Sequence, residues 1–133
     1  MFIIDKNTKT IHITRGDHAT VEVTAQNEDG SNYVFKKDDI IRFKVFTAKN
    51  FGEVHIQKDV KVESDTEIVP VVLDKEATRI GEATNKKVDY WYEVEVNPDT
   101  YPQTIIGYDR DGEKLFVVYP EGGTKEWLTL LKH

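Results

Sequence analysis

Val88-Asp89-Tyr90-Trp91-Tyr92-Glu93-Val94-Glu95-Val96 is the stretch that decides the fold class. Val88, Tyr90, Tyr92, Val94 and Val96 share one side of an extended chain; Asp89, Trp91, Glu93 and Glu95 share the other. A period of two belongs to a β-strand, whose successive side chains point to opposite faces. Here one face is apolar and the other carries three carboxylates, so the sheet packs on a core with one side and meets water with the other. The strand is expected over 86–97. Asn97-Pro98-Asp99-Thr100 ends it, with Pro98 pre-set for the second turn position.

The same period recurs in both directions. Thr10-Ile11-His12-Ile13-Thr14 alternates, as does Ala19-Thr20-Val21-Glu22-Val23-Thr24-Ala25-Gln26, with Arg15-Gly16-Asp17-His18 as the turn between them. Asn27 to Asn32 is a turn cluster around Gly30, followed by a short extended Tyr33-Val34-Phe35. Ile41, Phe43 and Val45 alternate with Arg42 and Lys44 in a strand over 40–46 that reads as central. Ala48 to Gly52 breaks it, and Val54, Ile56, Lys58, Val60 and Val62 share a parity over 53–63. Thr66 to Leu73 is β-branched and apolar, but Pro70 cannot donate to a ladder and so places this strand at an edge or a bulge. Residues 74–80 carry the sole helix signal: Asp74 as cap, Glu76 in the first turn and Gly81 as a left-handed stop. At this length the helix is expected to be a connector. Thr104 to Tyr108 and Lys114 to Tyr119 flank Asp109-Arg110-Asp111-Gly112-Glu113, where Asp-Gly is a hairpin cue. The tail from Glu121 to His133, with Trp127, Leu128, Leu130 and Leu131, is compatible with a last strand, a short helix or a segment docked on a neighbour.

Seven to nine such strands in 133 residues predict one all-β domain over 1–133. The expected form is an antiparallel β-sandwich, with a small barrel as the alternative. The hydrophobic fraction of 38% suffices for it, because each strand buries one face only. The 32% of charged residues go to the opposite faces and the turns.

The net charge is −6, and the densest basic pairs are Lys36-Lys37 and Lys86-Lys87, which disfavours nucleic acid and anionic membranes as partners. Without cysteine, disulfides, thiolate catalysis and sulfur-ligated metals are excluded. The N-terminus Met1-Phe2-Ile3-Ile4-Asp5-Lys6 lacks a basic region followed by an apolar stretch of about 7–15 residues, so synthesis in a cytoplasm without a signal peptide is expected.

Few motifs carry chemistry. Arg15-Gly16-Asp17 is a tripeptide that adhesion receptors read, but Gly-Asp is ordinary turn chemistry and the turn reading is preferred. Asp109-x-Asp111-Gly112-Glu113 resembles part of a calcium loop, yet Val118 stands where the closing glutamate belongs, so a hairpin turn is preferred. Asp38-Asp39 likewise reads as a solvated turn. His12, His18, His55 and His133 form no metal-type pair, and Ser31 and Ser64 sit in polar turns outside any nucleophile motif. No catalytic residue, metal site or cofactor is expected. The aromatic residues Trp91, Tyr101, Tyr108 and Trp127 are the candidate interaction surface: exposed together they would stack on sugar rings or dock a protein, whereas a core or interface role for Trp91 is the plainer reading.

Ile11-His12-Ile13-Thr14-Arg15-Gly16-Asp17, Ala19-Thr20-Val21-Glu22-Val23-Thr24, Glu28-Asp29-Gly30-Ser31-Asn32-Tyr33, Asp38 and Ile41-Arg42-Phe43-Lys44-Val45 together resemble the N-terminal domain of phage baseplate upper proteins. Val88 to Val96 fits the penultimate strand of such modules, and the likeness runs over about residues 10–119. The resemblance implies an immunoglobulin-like β-sandwich serving as a structural building block of a phage or prophage tail or baseplate. The implied partners are other tail and baseplate proteins or further copies of the chain, and the implied location is the bacterial cytoplasm, where it would be made, and the virion tail once assembled. It brings no catalytic residues. The alternative from another class is an immunoglobulin-like carbohydrate-binding module using its aromatics.

Overall fold

A computed structural model describes residues 1–47, 53–81 and 86–121. Among these residues lie nine strands: β1 (Phe2–Ile4), β2 (Ile11–Thr14), β3 (Ala19–Val23), β4 (Ile40–Thr47), β5 (Val54–Lys61), β6 (Val69–Leu73), β7 (Val88–Val96), β8 (Gln103–Ile106) and β9 (Leu115–Tyr119). The all-β expectation holds. Two sheets form, of very unequal size. One has the order β1-β2-β9-β7-β4-β5, with β8 also on β7; the other is the pair β3-β6.

The alternation seen in the sequence is the alternation of burial. Along β7, Tyr90, Tyr92, Val94 and Val96 are buried while Asp89, Trp91, Glu93 and Glu95 are not. Ile41, Phe43 and Val45 of β4 and Ile11 and Ile13 of β2 join the same core, and Val21, Val23, Val69, Val71 and Leu73 meet them from the small sheet. Phe43 lies at the centre, stacked on Tyr92 at 5.6 Å and edge-on to Phe116 at 6.2 Å. Phe35 is fully buried in this core too, but 33–35 is no strand: its backbone is held by the bridge of Phe35 to Thr66 and by the Tyr33 amide on the Ala25 carbonyl.

Three expectations need correction, and one strand is added. The sheets are not purely antiparallel: β2 runs parallel to β9, Ile11 beside Phe116 and Thr14 beside Tyr119. A parallel pair needs a long crossover, and here most of the chain intervenes, so no local turn signal could announce it. The helix over 74–80 is absent and is replaced by a single turn. Its cap signal is obeyed, since the Ala77 amide donates to Asp74 Oδ1 at 2.8 Å and the Thr78 amide to the Asp74 carbonyl at 3.2 Å. The turn stops there because Thr78, fully buried, donates its hydroxyl to the Asp17 carbonyl at 2.8 Å, and one turn cannot repay helix nucleation alone.

The hairpin expected around Asp111-Gly112 does not join its flanks. Asp109 and Gly112 do pair with each other across a tight turn, with Gly112 at φ +96°. However, β8 pairs with Val94–Val96 and β9 with Val88–Trp91, so both lie end to end along one edge of β7. Residues 107–114 are an excursion between these collinear strands. Finally, Phe2–Ile4, not assigned above, forms β1 antiparallel to β2, closed by a turn in which Asp5 Oδ1 accepts from the Asn7 and Thr8 amides at 2.8 and 3.1 Å.

Pro70 sits as its chemistry requires. β6 pairs only with β3 among the described residues, and Pro70 is exposed there opposite Glu22.

Candidate interaction surface

The solvent face of the large sheet divides into a charged half and an aromatic half. In the charged half, Arg42 on β4 grips Asp59 of β5 with two hydrogen bonds of 2.9 Å and reaches Asp99 at 3.3 Å. Lys44 lies 3.1 Å from Glu93 and 3.9 Å from Glu95 on β7. The Arg42 hydrogen bonds hold the Asp59 carboxyl below the usual carboxylate range, against its partial burial. Both cations of this ladder are engaged by carboxylates, which outnumber them, so this half of the face is weakly acidic.

In the aromatic half, Trp91 is half-buried and pairs edge-on with Phe46 at 6.5 Å and, tilted by 36°, with Tyr108 at 5.8 Å. Phe46 and Val117 are only 4% and 3% exposed although they lie outside the core cluster. Tyr108 is 69% exposed and Tyr101, two residues before β8, 86%. Of the four aromatic residues singled out from the sequence, the fold therefore brings Trp91 and Tyr108 together. Tyr101 joins no ring pair among the described residues, and Trp127 lies outside them. Trp91 and Tyr108 are neither coplanar nor both open, unlike a platform for a sugar ring.

The Arg15-Gly16-Asp17 turn is built as read, with Gly16 at φ +87° and the Asp17 amide on the Thr14 carbonyl at 3.0 Å. Both charged ends are engaged within the molecule. Arg15 pairs with Glu121 at 3.3 Å, and Asp17 pairs with the Met1 amino group. Asp109 likewise serves the fold: its Oδ1 accepts from Lys114 Nζ at 2.9 Å and from the Asp111 amide at 2.9 Å, and these bonds hold its pKa below the usual value. Lys114 is itself buried, so the supposed calcium-loop fragment holds a lysine. Asp39 accepts from the Lys36 amide and from Asn97, and Asp38 pairs with Lys61. No three acidic or histidine side chains among the described residues are arranged to hold a metal.

Two features escaped sequence reasoning. A cleft of about 410 Å³ opens between β3 and the inner side of the large sheet, lined by Ile4, Ile11, Val21, Val94, Ile105 and Ile106 with polar rim residues. The other is the number of open edges. β1 and β5 end the large sheet, and β3 and β6 are each paired on one side only among the described residues. Apolar side chains stand at these edges: Ile3 is 55% exposed on β1 and Val72 49% on β6. The Phe2-Ile3-Ile4 run before a polar turn was the available signal for the first of them.

Comparison with known proteins finds no matching family model, no matching curated protein and no matching solved structure.

Proposed function

We propose that the chain is a non-enzymatic structural or assembly module of a phage or prophage tail or baseplate, working through protein–protein contacts in an immunoglobulin-like two-layer arrangement. The observation that carries the contact reading is the open edge of β1, where Ile3 and Ile4 are exposed; β6 presents Val72 too, but Pro70 already blunts that edge. Isolated proteins normally blunt such edges with charge, proline or a covering loop, and an edge left apolar is a template for pairing with another chain. The phage assignment rests on the resemblance of residues 10–119 to baseplate modules. In the charge ladder, the cations Arg42 and Lys44 are both taken up by carboxylates of the same sheet, which keeps them from capturing anionic neighbours.

The sugar-binding alternative draws on the exposure of Tyr101 and Tyr108, but the tilt of Trp91 against Tyr108 gives it the weaker geometry. Genomic neighbourhood separates the two. Tail and lysis genes flanking this one support assembly, and polysaccharide-degradation genes overturn it. At the bench, Ile3→Lys is expected to abolish association with neighbouring tail proteins while leaving the fold intact; unchanged association would remove β1 from the proposal.

A further inference from the structure

We infer that the partner taken up by the open edge of β1 is a second copy of this chain, paired antiparallel about a two-fold axis through Ile3. The inference rests on the reading of β1 as the contact edge and names what that edge binds. β1 pairs with β2 alone among the described residues. The Thr14 amide donates to the Met1 carbonyl at 3.0 Å and the Asp5 amide to the Thr10 carbonyl at 2.9 Å, so residues 1 and 5 turn their backbone toward β2. Bonding groups alternate along an antiparallel strand, and the N–H and C=O of Phe2 and Ile4 therefore face outward. No proline, bulge or charge interrupts the strand, because Asp5 and Lys6 lie beyond its end.

The edge is complementary to itself. Only Phe2 and Ile4 offer outward bonding groups, and an axis through either residue makes a single bonded pair within the strand. An axis through Ile3 makes two, Phe2 of each chain with Ile4 of the other, and so uses every outward group. Such a contact is isologous and closes at two chains. The side chains agree with it. Phe2 and Ile4 lie opposite Ile13 and Ile11 on the inner face, where Ile4 is 39% exposed at the mouth of the cleft. Pairing sets each Phe2 beside an Ile4 and extends the core across the axis. Ile3, opposite His12 on the outer face and 55% exposed, meets its own copy. The charges agree as well. The Asp17 carboxylate lies at the Met1 amino group, just before β1, and Lys6 stands just after it. The Ile3 axis carries Lys6 of each chain toward Asp17 of the other, so opposite charges meet twice. A copy of the chain brings both halves of this match with it. Three-residue edges fall short of the about 800 Å² per partner of a standard interface, and the dimer is accordingly expected to be weak and concentration-dependent.

The cysteine-free chain permits a direct test. Residues facing each other in a non-hydrogen-bonded antiparallel pair lie within disulfide range, so Ile3→Cys under mild oxidation is expected to give a disulfide-linked dimer in high yield. Ile4→Cys, which faces Phe2 of the second copy and not itself, and Val72→Cys on β6 are expected to give several-fold less. Equal yields from the three variants would overturn the proposal. Sedimentation equilibrium of the cysteine-free chain provides a second readout: dimer is expected to be present at about 1 mM, and Ile3→Lys, which opposes two like charges, is expected to weaken it about 10-fold or more. A chain that stays monomeric at that concentration, while Ile3→Lys still loses its tail-protein partners, would overturn the second copy as occupant and leave the assembly reading standing. A dimer dissolved by Ile3→Lys in a chain that never joins tails would support the pairing and sink that reading.

Discussion

Gly81 closes the 74–80 turn at φ +71°, and a Cβ built there would lie 2.4 Å from Tyr90 Oη. Gly81→Ala should therefore incur two separable costs. The left-handed backbone costs a non-glycine residue about 1–2 kcal/mol. The collision is with the hydroxyl of a ring held in the core at 6% exposure, and overpacking of that kind costs about 1–3 kcal/mol. Together they come to about 3 kcal/mol, which for a chain of this length lowers Tm by roughly 10 °C. Urea titration of four proteins separates the terms: wild type, Gly81→Ala, Tyr90→Phe and the double variant. Removing the hydroxyl should restore the collision part, so the double variant is more stable than Gly81→Ala by at least about 1 kcal/mol. Strictly additive effects, or a loss below about 0.5 kcal/mol for Gly81→Ala, would refute the reasoning.

Other outcomes follow from single contacts. Thr78→Val removes the hydroxyl that bonds the Asp17 carbonyl and should cost about 1–3 kcal/mol in chemical denaturation, whereas Thr78→Ser should recover most of it. Asp109 has a pKa held below its usual 3.8, first by the Lys114 hydrogen bond; its contribution is thus fully present above that usual value and is lost as pH falls through the lowered one. Asp109→Asn should accordingly flatten the fall of the denaturation midpoint below about pH 4, measured by acid-series unfolding. Tyr101→Ala should change stability by less than about 0.5 kcal/mol, while Tyr108→Ala should additionally shift Trp91 emission, since only the second ring packs on that indole.

The strands were legible wherever one face is wet and the other dry. Val88 to Val96 and Ile40 to Phe46 announce themselves because burial of alternate residues is imposed by the pleat, whatever the neighbours are. Pro70 was legible as an edge residue because the ring removes a donor. Pairing partners were not. Nothing local marks β2 as the parallel neighbour of β9, or directs β8 and β9 to successive halves of one strand. The residues at 74–81 show how a correct local signal can name the wrong element. Asp74 caps and Gly81 is left-handed, yet the buried Thr78 hydroxyl is committed to Asp17 and the segment ends after one turn. On the candidate surface, the facing of Trp91 away from Tyr90 and Tyr92 followed from parity, and its pairing with Tyr108 required the 107–114 excursion that the hairpin reading concealed. The cleft beside β3 depends on the unequal division of strands between sheets, which no window of sequence encodes.

Cross-linking mass spectrometry on particles purified from a bacterium that carries this gene tests the assembly role most directly. The account predicts that the chain co-purifies with tails and that Lys6 and Lys9, in the turn that closes β1 onto β2, link to a neighbouring tail protein or a second copy. A chain absent from the particles, monomeric at high concentration and retained on a polysaccharide column would contradict it.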